Sequence, residues 1–391
     1  MNAYPQNQSV PLSRSKKPLK LRVVRFDDHA QISALVSKFD LHIEDYSGWT
    51  HLWSDNPAYR EIAGIDQDKF PMGWVLENGD GAICGYLGNV PLQYELEGKK
   101  LLAATTRAWV VDTPYRSYSP LLLGTYFQQP NVDLFLSTTV NAQSAPAYSI
   151  FEGIRVPRGA WDRALFWITD YRGFTESFLR NKGWAIAKPL SYPLSAGLFL
   201  RDQLMGSRVP GGGRRIMVQS CLGFDDRFDG FWAALRKKKS NVLLAVRSRE
   251  ALDWHFKFAL EHKTAWIFTV EDGSGLSAYS VFLRSDYRQI GLTRMRLVDF
   301  QCLERDRSFF LELLRAMLHA AMKRCRQESI HMLELVGVDA ELESDLKRTS
   351  PHTRSLSSWL YFYKASSPGL AEKLKNADVW EPSLFDGDSS L

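Results

Sequence analysis

Two carboxylates close β-type segments: Glu77 at the end of GWVLE, and Asp112 at the end of RAWVVD. At such a place a carboxylate can take a proton from an attacking amine or hydroxyl, or it can be a solvated strand end. His255, beside Trp254, reads as a packing or hydrogen-bonded residue rather than a catalytic one. Cys84, Cys221, Cys302 and Cys325 are scattered, with no CxxC and no histidine-rich spacing. That pattern argues against a metal site and suits unpaired thiols in a reducing cytoplasm. The net charge is +5, from 49 basic and 44 acidic residues. The short basic runs at 12–22 and 236–239 read as solvated faces, and no nucleic-acid motif accompanies them.

Several elements must position these residues. A chain of 391 residues predicts two or three units. Residues 1–18 are polar and rich in Pro and Ser, and read as a disordered tail rather than a signal peptide. No apolar run reaches the ~18 residues that a membrane span needs. LKLRVVRF (19–26) alternates as a strand. Asp27 and Asp28 then precede Ile32, Leu35, Val36 and Phe39 at helical spacing, an N-cap signal. GWVLE is a strand, NGDG (78–81) a hairpin turn, and the stretch to Gly98 reads as strand, bend, strand. LLAATTRAWVVD, a short helix stopped by Pro130, the strand NVDLFLSTT and the helix SAPAYSIFEGI follow. The strand–helix–strand step after residue 104 needs a crossover, so that strand pair should be parallel. The sheet should start antiparallel and end in a parallel, splayed pair.

The two halves of the chain repeat this order. GWVLENGDGAICGYLGNVPL (73–92) parallels AWIFTVEDGSGLSAYSVFL (265–283), with Trp74 matching Trp266 and Tyr86 matching Tyr279. GWTHLW parallels ALDWHFKF, and AWVVD (108–112) parallels MRLVD (295–299). A helix and a strand follow each: the helix over 307–326 with IHMLELVGV in the second half. These features divide the chain into a first domain (19–160), a connecting segment (161–222) with a loop at 207–215, a second domain (223–365) and an acidic tail (366–391) that should float.

With DLHIEDYSGWTHLWSDNP, ENGDGAICGYLG, VVDTPYRSYSPLLL, TTVNAQSAPAYSIFEGI and FDDRFDGFWAAL in view, the first half resembles the GNAT (N-acetyltransferase) superfamily. Over about residues 20–365 the chain resembles bacterial proteins in which a degenerate GNAT-like half follows the first, and it shares the tandem logic of Fem-type aminoacyltransferases. The resemblance implies an α/β (α+β) fold of two tandem GNAT-like halves. Each would be a mixed, mostly antiparallel sheet flanked by helices, with a splayed parallel strand pair. It implies acetyl-CoA or another acyl-CoA as co-substrate, its pantetheine arm on the strand edge at Val110 and Val111. The pyrophosphate would rest on the loop Arg116, Ser117, Tyr118 and Ser119 and on the helix start at Leu121, since free N–H groups at a helix end favour anions. Asn141 would shape the slot. Tyr148, or Phe151 in its aromatic slot, would stand where a general acid serves the leaving thiolate. Glu77 or Asp112 would be the base. One departure concerns the loop: Ser119 and Leu121 replace the family's Gly and Gly/Ala, and a side chain there opposes close approach of phosphate.

The second half offers a poorer phosphate site. Arg305 and Ser308 repeat the spacing of Arg116 and Ser119, but no Gly is present and Phe310 occupies the second small position, so this half reads as structural or as a wall of the acceptor site. The expected function is acyl transfer to an amine or hydroxyl, the acceptor a small molecule or glycan-type cell-envelope precursor. Trp49, Trp53 and Trp74 could line an acceptor groove, although Trp74 reads as core. The alternatives are a non-catalytic binding protein of this fold, or a Fem-type enzyme, which the mild charge and the absence of a coiled-coil arm disfavour. The expected location is the cytoplasm; a tandem chain could supply its own pseudo-dimer.

Overall fold

The computed structural model describes residues 19–391 apart from 64–69, 159–160, 185–186, 205–215, 274, 305, 339, 348–351 and 357–358. The expected tail at 1–18, the loop at 207–215 and Arg305 therefore lie outside the described residues. The chain begins β1 (Lys20–Val23), α1 (His29–Ser37), α2 (Tyr46–Ser54) and α3 (Pro57–Ala63). It continues β2 (Gly73–Glu77), β3 (Ile83–Leu96), β4 (Lys99–Val111), α4 (Ser119–Phe127), β5 (Leu134–Val140), α5 (Ala145–Ile150) and β6 (Ile154–Arg155). Next come β7 (Arg163–Ile168), α6 (Tyr171–Asn181), α7 (Ala187–Leu204), β8 (Gln219–Cys221), α8 (Asp226–Lys238), β9 (Leu244–Ala245) and α9 (Arg249–Glu261). The last third holds β10 (Ala265–Asp272), β11 (Gly275–Arg284), β12 (Arg294–Cys302), α10 (Arg307–Gln327), β13 (Met332–Val336), α11 (Ala340–Lys347), β14 (His352–Ser355), β15 (Leu360–Ala365) and α12 (Pro368–Leu374).

Local chemistry explains most of these boundaries. The NGDG turn forms because the Asn78 side-chain oxygen accepts from the amides of Asp80 and Ala82, both at 3.0 Å, while Gly81 takes φ +79°. Asp306 caps α10 by accepting from the Phe309 amide at 2.9 Å. β3 runs unbroken through Pro91, where a bend was expected. β2 pairs with β3 only as far as Gly88, and β9 joins that edge at Tyr94. Pro91 thus sits on an edge stretch where a missing N–H is tolerated.

Two sheets result. The first orders its strands β1-β2-β3-β4-β5-β15-β6, with β9 added to β3; the second runs β14-β7-β13-β12-β11-β10-β8. The repeat is visible in the ladders. In each sheet two antiparallel pairings lead to one parallel pair, β4–β5 in the first and β12–β13 in the second. The sheets also exchange strands. β7, from the expected connecting segment, joins the second sheet beside β13, and β15 returns to the first sheet between β5 and β6. The sheet boundaries therefore cross the sequence divisions at 160, 222 and 365.

The largest core cluster joins both sheets, with Trp49, Tyr86, Phe228, Tyr279 and Tyr363 among its members. Trp49 and Trp53 are fully buried and Trp74 nearly so. None of the three lines a groove, which corrects that expectation; the Trp53 indole N–H donates to the Asn89 carbonyl at 2.8 Å.

Residues 366–391 do not float. α12 packs on β15, and Trp380, Leu384 and Phe385 are buried. The acidity that suggested a free tail is absorbed internally: Tyr94 donates to Asp386 at 3.0 Å, and Thr138 donates to Asp388 at 2.8 Å. His255 meets the same segment, its Nε2 2.8 Å from the Ser390 hydroxyl and its ring 4.4 Å from that of Phe385. Burial pushes its pKa down to about 3, so it is a neutral packing residue at physiological pH. The folded pKa lies below the unfolded one, so the fold loses stability as pH falls below about 6.5, by at most about 1.4 kcal/mol per pH unit. A His255→Gln variant should show a shallower drop in melting temperature between pH 6 and pH 4 than the wild type, a range set by that depressed pKa. Parallel melting curves for the two proteins would refute this.

Candidate active site at the divergence of two parallel strands

β4 and β5 pair at only three positions: Ala103 with Leu134, Ala104 with Phe135 and Thr105 with Leu136. Beyond these the strands separate. β4 stays bonded to β3 on its other edge through Val110 and Val111, so among the described residues its edge from Thr106 onward has no strand partner on the β5 side. A bulge sits in the same stretch. Tyr86 opposes Val110 and Gly88 opposes Arg107, which leaves β4 one residue longer than β3, with Ala108 at φ +51°. Bulges bend a strand and increase its twist, which here turns β4 away from β5. The side chains of Val110 and Val111 are buried on opposite faces of the sheet, in separate core clusters. Only their main chain is available to a ligand.

Polar groups gather at the root of this gap. The hydroxyls of Thr106 and Ser137 are 2.7 Å apart, one from each diverging strand. Tyr148, on α5, is buried between Trp109 and Phe362, at ring distances of 5.9 and 5.4 Å. Burial pushes its pKa up to about 12, against hydrogen bonding from Ser137 and Thr106. Asp388 enters from the C-terminal segment. Burial raises its carboxyl, opposed by the Arg107 charge and the bond from Thr138. Arg107 also pairs with Glu44. Tyr148 is the expected residue that lies here; Asp388 was not expected, because nothing in FDGDSSL indicates that it folds back against a sheet more than two hundred residues earlier.

The other expected residues lie elsewhere. Glu77 is held by Arg22 at 2.6 Å, and the same guanidinium clamps Asp28 at 2.7 Å. Asp112 is paired with Lys38 at 2.9 Å at the far end of β4. Both carboxylates are thus ion-pair partners near the sheet's end, away from Tyr148. Asn141 is an exposed capping residue whose side-chain oxygen accepts from the Ser144 amide at 2.8 Å. Phe151 packs its ring 6.0 Å from Phe127, beside α4.

The loop after β4 is wound. Thr113–Tyr118 form a 3-10 helix that runs into α4 at Ser119. Its i→i−3 bonding occupies amides that an open anion loop leaves free. Ser119 takes φ −54° and ψ −41°, ordinary helical values, so no glycine is needed there for conformation. Arg116, Ser117 and Leu121 are exposed, and Tyr118 packs partly into the core.

In the second sheet the same divergence is filled. β12 parts from β13 after Leu297, and a register shift between Val281 and Phe282 marks a matching bulge. Here Arg247 and Asp299 form a buried ion pair at 2.8 Å, Tyr279 donates to Asp299 at 2.7 Å, and the Phe385 amide bonds the Val298 carbonyl at 3.2 Å. The C-terminal segment occupies the strand edge that the first sheet leaves unpaired.

Two sheets, each with a bulged strand parting from a parallel neighbour, define the protein as a two-half GNAT-type α/β fold. Among solved structures, the chain is similar to Saccharomyces cerevisiae N-myristoyltransferase with bound myristoyl-CoA, at 12% identity and a TM-score of 0.56, covering 92% of this chain and 80% of that one. It is also similar to a GCN5-related N-acetyltransferase from Kribbella flavida, at 11% identity and a TM-score of 0.53, covering 90% of this chain and 71% of that one. At such identities the likeness is one of fold. No family model matches the sequence, and comparison with curated proteins finds no match.

Proposed function

We propose that the chain is an acyl-CoA-dependent N- or O-acyltransferase whose chemistry takes place where β4 leaves β5. The observation that carries this reading is the unpaired edge of β4 from Thr106 onward, beside a bulge and a buried tyrosine. In this reading the pantetheine arm of the acyl-CoA adds to that edge as a short extra strand. A β4 amide near the bulge polarises the thioester carbonyl and stabilises the tetrahedral oxyanion. An acceptor amine or hydroxyl attacks the carbonyl carbon and loses its proton to Asp388. The carbon–sulfur bond breaks, and Tyr148 protonates the departing thiolate. A phenol with pKa near 12 stays protonated at neutral pH, which suits a donor. Support also comes from the fold shared with an enzyme whose structure holds myristoyl-CoA. A glycan-type acceptor and a short acyl chain such as acetyl remain part of this proposal.

The wound 113–118 segment and the near-complete burial of Tyr148 favour a second reading, a protein of this fold that binds without catalysis. One measurement separates the two. At a hundred times its dissociation constant, an acyl-CoA should add about 2.7 kcal/mol of stability, seen as a raised melting temperature. In this reading Arg116, exposed beside α4, meets the diphosphate. Arg116→Ala should weaken acyl-CoA binding about tenfold or more in calorimetry, the worth of a charge-assisted hydrogen bond. If no acyl-CoA of any chain length moves the melt, the enzymatic reading fails and the binding reading stands.

A further inference from the structure

α7 is built inside out. The residues it turns inward are Ala187, Ser191 and Asp202, which are buried, and Leu190, Ser195 and Leu198, which are half-buried. These are mostly small or polar. One outward face carries large apolar side chains: Tyr192, Phe199, Leu200 at 60% exposure and Leu204 at 88%. Trp184 and Phe178, on and after α6, are about half exposed as well. A water-facing helix normally shows the opposite pattern, and a clustered apolar face marks a contact surface.

Charge says what covers it. Arg172, Lys182, Lys188 and Arg201 are all exposed on this helix pair, and Arg180, also exposed, is paired with Glu176. The acidic residues of the pair are engaged internally: Glu176 binds Arg180, and Asp202 accepts from Tyr171 at 3.0 Å and meets His352 at 3.0 Å. Cations also lie directly against the outward rings, Arg172 4.4 Å from the centre of Tyr192 and Lys182 5.8 Å from that of Phe178. Aromatic and leucine side chains interleaved with Lys and Arg match the boundary between acyl chains and acidic headgroups. A second copy of the chain is a poorer occupant, because a two-fold contact would set these cations against themselves.

We propose that the α6–α7 pair is a docking surface for an anionic lipid bilayer, the apolar face dipping into the headgroup layer and the cations meeting lipid phosphates. This surface lies on the second half of the molecule and works without any chemistry at β4. The test is flotation of the full chain with phosphatidylcholine vesicles, with and without phosphatidylglycerol. The chain should float only with the anionic vesicles, and less as salt rises. Lys188→Ala and Arg201→Ala should each lower vesicle affinity about fivefold, and Leu200→Glu with Leu204→Glu should abolish flotation. All four side chains are exposed, so melting temperatures should hold. Wild-type protein that ignores anionic vesicles, or a Leu200→Glu/Leu204→Glu protein that floats equally well, overturns the proposal. So does light scattering that shows a dimer which the glutamate pair splits, since the face would then belong to a second copy.

Discussion

Arg247→Ala should lower the unfolding free energy by about 3–5 kcal/mol, the cost of leaving one partner of a buried ion pair without the other. Arg247 and Asp299 are essentially inaccessible to solvent. The guanidinium holds Asp299 through two bonds, at 2.8 and 3.1 Å, and donates to the Ala245 carbonyl at 2.8 Å. Its carbon lies 4.8 Å from the centre of the Phe385 ring. Removing it strands a carboxylate that Tyr279 and Gln301 alone cannot neutralise, and it loosens the C-terminal segment. Urea denaturation measures the effect as a lower midpoint. The double variant Arg247→Met/Asp299→Leu should recover much of the loss, because no charge is then left buried. If the double variant is as unstable as the single, the cost lies in packing rather than charge. The same pair, with the Phe385 amide, occupies the divergence of β12 from β13.

The second large effect is kinetic. Tyr148→Phe should reduce kcat by about 10²–10⁴-fold, the usual worth of a positioned proton donor. KM for acyl-CoA should change little, since the hydroxyl acts on the leaving group in the transition state. Melting temperature should also change little. Phe keeps the ring against Trp109, Phe127 and Phe362, at 5.9, 6.0 and 5.4 Å. CoA thiol release with a panel of primary amines reads the outcome. An unchanged kcat would assign Tyr148 to packing alone. Asp388→Asn, in contrast, should remove the rise of kcat with pH that this half-buried carboxylate would impart as the proposed base.

Much of the fold was legible because short-range chemistry dictates it. Asn78 and Gly81 specify a hairpin wherever they occur between two β-forming runs. The match of GWVLENGDGAICGYLG to AWIFTVEDGSGLSAYS foretold two copies of one ladder pattern, and both appear. α7 was not expected: it contains Pro189, Pro193 and Gly197, residues unfavourable inside a helix, and packing against α6 helps hold it. The bend expected near Pro91 failed because edge position, which decides whether a proline is tolerated, is a property of the sheet and not of the segment.

The amino-acid sequence by itself determined most of the elements, the repeat and the parallel crossover after residue 104. Periodicity, turn residues and caps act over a few positions, so they survive without knowledge of the rest. Tertiary structure decided where the C-terminal segment meets each pair of diverging strands. Asp388 meets Thr138, and Phe385 fills the second gap, only because a segment far away in the chain returns through the interior. Such long-range contacts depend on the summed burial of both sheets, and no local pattern records them.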